Sequence, residues 1–172
     1  MGKTLVWYPF FKPWKPRLVP GHRVVFPQGD FSIPTNFREL IYWVDKMPNH
    51  KFILLNEDPE IFYNLPANGI PVLHVSTRDE LQKKEDKFLE TVEDHPVKGL
   101  SVFCGKESIW TDRKWDIVIV KGFSFVHMDN TIKGLRNKSN PVYVDSYKKE
   151  NQLDRLPERF RVRQLEGVLN EY

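Results

Sequence analysis

Short, continuous apolar runs alternate with amphipathic stretches along this chain. KFILL at 51–55, IPVLHVS at 70–76, LSVFCG at 100–105 and WDIVIVKG at 115–122 have the length and β-branched content of strands covered on both faces. HRVVF at 22–26 and PVYVDSY at 141–147 give the same signal nearer the two ends. Between the runs the spacing changes from continuous to helical. Phe37, Leu40, Ile41, Val44 and Met47 share one helix face up to Pro48, behind an Asn36…Glu39 capping box. Thr77, three residues before Glu80, predicts the start of a second helix over roughly 78–93, with Leu81, Phe88, Leu89 and Val92 inward and QKKEDK as its solvated face. DPEIFYN opens a helical turn with proline near its start. MDNTIKGLRNK at 128–138 predicts a short helix capped by Asp129 or Asn130, and KESIWTDR reads as a polar loop.

Strands that alternate with helices or long connections call for an α/β fold with a mostly parallel sheet. About six strands are too few for a complete eightfold barrel. They leave a partial, opened TIM-barrel-like sheet or a small doubly wound one. The division expected is an extended, Pro- and aromatic-rich N-terminal arm over residues 1–21 and a single α/β domain over 22–172. Prolines at 9, 13, 16, 20 and 27 keep the arm from forming a long helix.

Composition narrows the classes. A chain of 172 residues with 40% hydrophobic and 13% aromatic side chains is long and apolar enough to bury one core. The net charge of +3 arises from 26 basic and 23 acidic residues, a balance that argues against a dedicated duplex-DNA binder. One cysteine, Cys104, excludes an internal disulfide and a four-thiolate metal site. The N-terminal sequence lacks a signal-peptide pattern and no apolar run approaches the ~20 residues of a membrane span, so a cytoplasmic protein without membrane attachment is expected.

The ordered features of HRVVFPQGDFSIPTNFRELIYWVDKMPNHKFILLNEDPEIFYNLPANGIPVLHVSTRDEL resemble the C-terminal portion of a phage- and bacteria-associated radical-SAM-like family of poorly defined function. A strand leads to a Gly-Asp-Phe turn, a helix ends in MPNHKF, a strand leads to DPE, and LPANGIPVLHVS precedes a charged helix. WDIVIVKG is similar to that family's late strand and glycine turn, and DRLPERFRVRQ to its tail. The resemblance spans roughly residues 7–165. It implies a barrel-type scaffold whose relatives bind an iron-sulfur cluster through three closely spaced cysteines. Nothing of that motif precedes the first strand here. Asn56 and Glu57 stand where the family carries Thr-Lys, Lys121 and Phe123 where it tends to carry glycine and glutamate, and Phe103 and Cys104 where Glu-Pro is usual. The resemblance therefore implies a shortened descendant that kept the scaffold without the cluster.

Parallel α/β folds place their sites at the C-terminal ends of strands. By that rule the candidate ligand-binding residues are Asp30, Asn56, Glu57, Ser76, Arg78, Lys106, Lys121 and Asp145. Arg78, Lys106 and Lys121 on one rim would clamp a phosphate or carboxylate, although polar strand ends are also what wet loops produce. The histidines at 22, 50, 74, 95 and 127 have no metal-ligand spacing, and His127 with Asp129 is the one close pairing. No nucleophile elbow surrounds Ser76, Ser101 or Ser124, and Cys104 reads as a small buried hydrophobe. No metal, cofactor or catalytic residue is assigned.

The segment WYPFFKPWKPR carries Trp7, Tyr8, Phe10, Phe11 and Trp14 beside Lys12, Lys15 and Arg17. These rings would stack on single-stranded bases with the cations on phosphates, or seal an edge of the α/β core. The few charges favour a plug or interface. The function expected is a phage-derived, non-enzymatic binding or regulatory protein, acting through a homo-oligomer, another protein partner or an anionic small ligand. A cluster-free transferase or hydrolase using Asp30, Glu57 and Asp145 is the enzymatic alternative, and single-strand binding by the arm is a third reading.

Overall fold

The structure, a computed structural model, describes residues 5–9, 24–28, 30–135, 142–144 and 162–164. The central strands form because their apolar runs satisfy both faces of a sheet at once. They are β3 (Lys51–Asn56), β4 (Gly69–Val75), β5 (Gly99–Cys104) and β6 (Ile117–Gly122). Backbone pairing extends this group through β1 (Leu5–Pro9) and β2 (Val24–Gln28) on one side and β7 (Val142–Val144) and β8 (Val162–Gln164) on the other. Every neighbouring pair is parallel and the order in the sheet is the order in the chain. Such a sheet curls into a half-barrel, so the α/β, parallel, opened-barrel expectation holds. The strand count does not. Four strands, β3 to β6, rather than about six, make up the continuously described part of the sheet. Beyond the backbone of Leu5–Pro9, the expected N-terminal arm lies outside the described residues.

Three helices cover the convex face: α1 (Pro34–Lys46), α2 (Arg78–Thr91) and α3 (Phe125–Leu135). Helix α2 begins where the sequence predicts, with Thr77 Oγ1 accepting from the Glu80 N–H at 3.1 Å. Glu80 completes the cap on Ser76 rather than on Thr77, its carboxylate accepting from the Ser76 N–H at 3.0 Å. Helix α1 starts earlier than its supposed capping box. Pro34 occupies its first turn because its missing N–H is no loss there, and Asn36 instead donates to the Asp30 carbonyl at 2.9 Å. Helix α3 also starts earlier, at Phe125. Asp129 is therefore an interior residue paired with Lys133 at 2.7 Å, not a cap. DPEIF forms a 3₁₀ turn, Pro59–Phe62, capped by Asp58.

The two sheet faces have different partners. Phe52, Leu54, Leu73, Val75, Leu100, Val102, Val118 and Val120 face the helices and join Phe37, Leu40, Phe88 and Ile132 in one core. Within it an aromatic chain runs from Phe37 to Phe62 (6.1 Å between ring centroids), on to Phe88 (5.3 Å) and then to Trp115 (5.8 Å). It ties α1, the 3₁₀ turn, α2 and the approach to β6 together. Alternation puts Ile53, Val72, Ser101, Ile117 and Ile119 on the concave face, where they too are buried. At Gly122 the β5 and β6 backbones approach so closely that a Cβ would overlap the Cys104 carbonyl. No helix among the described residues is long and apolar enough to cross a membrane.

Candidate functional site at the C-terminal rim

Because the strands are parallel, the segments that follow them emerge at one end. One of them, residues 105–116 between β5 and β6, is anchored from both sides. The Ile109 N–H donates to the buried Thr131 Oγ1 of α3 at 2.8 Å, and the Cys104 thiol donates to the same oxygen at 3.3 Å. Toward α2, the Thr111 hydroxyl donates to Glu85 at 2.7 Å, and the Arg113 guanidinium pairs with Glu85 and Asp86. The loop is a fixed platform. Replacing Thr131 by valine keeps the shape but orphans the buried Ile109 N–H, and is expected to cost about 1–3 kcal/mol in urea unfolding. Burial raises the Cys104 thiol above its ordinary pKa, as a small core residue rather than a nucleophile requires.

Register gives the concave face its polar tiers. His74 of β4 lies opposite Ser101 of β5, with His74 Nδ1 and Ser101 Oγ 3.0 Å apart. One tier nearer the rim, Phe103 of β5 lies opposite Lys121 of β6. Burial pushes the His74 pKa from 6.5 down to about 4, and the positive charges of Lys121 and Lys84 add to the shift while Glu80 opposes it. The imidazole is neutral at pH 7. Ser101 is 0% exposed and His74 half-buried, so the serine is closed off within the wall of the concave face.

The expected rim residues separate by role. Arg78, at the start of α2, lies over the Trp110 ring at 3.7 Å, the closest packing of a cation at this end. Lys121 is half-buried at the end of β6, and Lys106 and Glu57 are exposed at the ends of β5 and β3. Ser76 joins the start of α2 through its N–H. Asn56 is buried and occupied, donating to the Phe31 carbonyl at 2.7 Å and accepting from the Asp58 N–H at 2.9 Å. It is a tie between two loops. Asp30 accepts from the Ser32 N–H at 3.2 Å and from its hydroxyl, which shapes the turn before α1. Asp145 lies outside the described residues, as do Phe10, Phe11, Lys12, Trp14, Lys15 and Arg17; Trp7 and Tyr8 are described as backbone of β1.

Of four groups that the fold brings to this end, sequence reasoning did not single out Trp110 or Ser108, and named Phe123 only as a departure from the family pattern and His127 only as a pairing with Asp129. Trp110 and Phe123 are exposed, Phe123 at 90%, and Phe123 meets Phe103 edge to face at 5.1 Å. Ser108 Oγ and His127 Nδ1 are 3.1 Å apart across the 105–116 loop and α3. The lone tryptophan within polar KESIWTDR was a readable signal, whereas residues 19 apart in the chain carry none for a hydrogen bond. His74 and Ser101 are likewise 27 apart and meet through strand register alone.

Among the described residues no group of three or more His, Cys, Asp or Glu is arranged to hold a metal ion. A groove of about 500 Å³ opens at the opposite end of the strands, between residues 62–67 and 90–96, with Glu90, Glu93 and Asp94 on its wall. Its polarity is opposite to that of the basic rim. No protein family, no characterised protein and no solved structure matches the chain.

Proposed function

We propose that the chain is a binding protein whose C-terminal rim takes a small anion bearing a planar ring. The observation that carries this reading is Arg78 held over Trp110 at 3.7 Å. A guanidinium fixed on an indole has surrendered much of its rotamer freedom before a ligand arrives, so less is lost when it pairs with a phosphate or carboxylate. Lys121 and Lys106 add positive charge at the same strand ends, and the exposed Phe123 ring offers a face to a planar group. The resemblance to radical-SAM-like proteins fits this reading as a scaffold that has lost its chemistry. With a single cysteine in the sequence, the three-thiolate cluster is not part of the proposal.

Calorimetric titration with phenyl phosphate, inorganic phosphate and phenol tests it. Phenyl phosphate is expected to bind more tightly than either fragment. Arg78→Ala and Trp110→Ala are each expected to weaken it about tenfold, the equivalent of about 1.4 kcal/mol. Saturable binding unchanged by both substitutions would place the anion elsewhere.

A further inference from the structure

The two serine–histidine pairs at this end of the fold differ in one decisive respect. Ser101 beside His74 is 0% exposed, whereas Ser108 is half-buried and reachable from solvent together with the half-buried His127. Ser108 Oγ lies 3.1 Å from His127 Nδ1, within the reach that lets an imidazole take a hydroxyl proton. Both positions are fixed. The Thr131 contact to Ile109 anchors the residue after Ser108, and His127 sits in the first turn of α3, its N–H donating to Ser124 Oγ at 3.4 Å. That turn is the positive end of an 11-residue helix, which favours negative charge developing beside it. Trp110 two residues after Ser108, Val126 beside His127 and Phe123 at the approach to α3 are exposed and suit an apolar acyl or aryl group.

We propose that Ser108 and His127 form a nucleophile–base pair that cleaves carboxylic esters with apolar substituents. With the imidazole proton on Nε2, Nδ1 accepts from the Ser108 hydroxyl. Ser108 Oγ attacks the ester carbonyl carbon as its proton passes to Nδ1, and the carbonyl electron pair moves onto oxygen. Collapse of the tetrahedral adduct breaks the bond to the alkoxy oxygen, which leaves as the alcohol with the proton from His127. Water then adds to the acyl-Ser108 carbonyl and gives a proton to Nδ1. The second collapse releases the carboxylic acid and returns that proton to Ser108 Oγ. No redox partner or metal enters this balance. A neutral ester makes no demand on the Arg78 cation, although its apolar group would share Trp110 and Phe123 with the ring of the anion.

The test is covalent labelling of the full chain with an alkyl fluorophosphonate, mapped by peptide mass spectrometry, beside hydrolysis of p-nitrophenyl acetate. One adduct on Ser108 is expected, absent in Ser108→Ala and at least tenfold slower to form in His127→Gln, with ester hydrolysis falling in parallel. A Ser108→Cys variant guards against a misfolded alanine protein. Its new thiol is expected to react with iodoacetamide at least tenfold faster when His127 is present than in Ser108→Cys/His127→Gln. Lys83→Ala, a change to an exposed side chain of α2, is expected to leave labelling unchanged. Failure of the wild-type chain to label, an adduct on another serine, or equal rates with and without His127 would overturn the proposal.

Discussion

Phe88→Ala is expected to destabilise the protein by about 3–5 kcal/mol, the range for removing a large ring from a packed core. Phe88 is fully buried on α2 and touches two other rings, Phe62 at 5.3 Å and Trp115 at 5.8 Å. Its loss opens a cavity where α2, the 3₁₀ turn and the approach to β6 meet, and the backbone of a parallel sheet has little freedom to close it. In a chain of this size the change corresponds to a fall in Tm of roughly 10 °C or more. Phe123→Ala is the matched control. That ring is 90% exposed, so its removal is expected to change stability by less than about 0.5 kcal/mol. Thermal unfolding of the two variants reads both outcomes, and equal shifts would show that the aromatic chain is not the centre of the core.

The second large effect is a loss of stability in mild acid. His74 keeps an ordinary pKa of 6.5 when unfolded and one of about 4 when folded, chiefly because burial disfavours the imidazolium. Above pH 6.5 both states are neutral and the stability is intact. As pH falls below 6.5 the unfolded chain takes up a proton that the folded chain refuses, so stability declines by about 1.4 kcal/mol per pH unit. The decline ends near pH 4, after about 3 kcal/mol has been lost. Urea unfolding at pH 7 and pH 4.5 is expected to show this slope in the wild-type chain and its disappearance in His74→Gln. Carboxylates titrate in both proteins alike, so the difference between the two isolates the imidazole. Identical slopes would mean that His74 is solvated.

Much of the architecture was legible because it depends on local pattern. The runs KFILL, IPVLHVS, LSVFCG and WDIVIVKG are continuous in hydrophobicity, and all became central strands because the parallel sheet is covered on both faces. The Thr77…Glu80 spacing located the start of α2 for the same reason: a cap is a contact between residues three apart. The same rule misplaced α1, where Pro34 supplied a cheaper start than Asn36, and α3, where Asp129 found Lys133 one turn on. The site was less readable. Strand-end position selected Arg78 and Lys121, but it also selected Asn56, whose amide is consumed by Phe31 and Asp58. Trp110 beneath Arg78 and His127 beside Ser108 belong to pairs made by the fold, separated by 32 and 19 residues, and pattern along the chain cannot register them.

The most direct test of the binding rim is an amide chemical-shift titration of the isotope-labelled chain with phenyl phosphate. Saturable shifts concentrated in residues 76–78, 105–110 and 121–127 are the predicted result, with the midpoint moved about tenfold higher in Arg78→Ala. Shifts concentrated instead in the acidic groove at 62–67 and 90–96, or no saturable shift at all, would contradict the assignment of the C-terminal rim as the site.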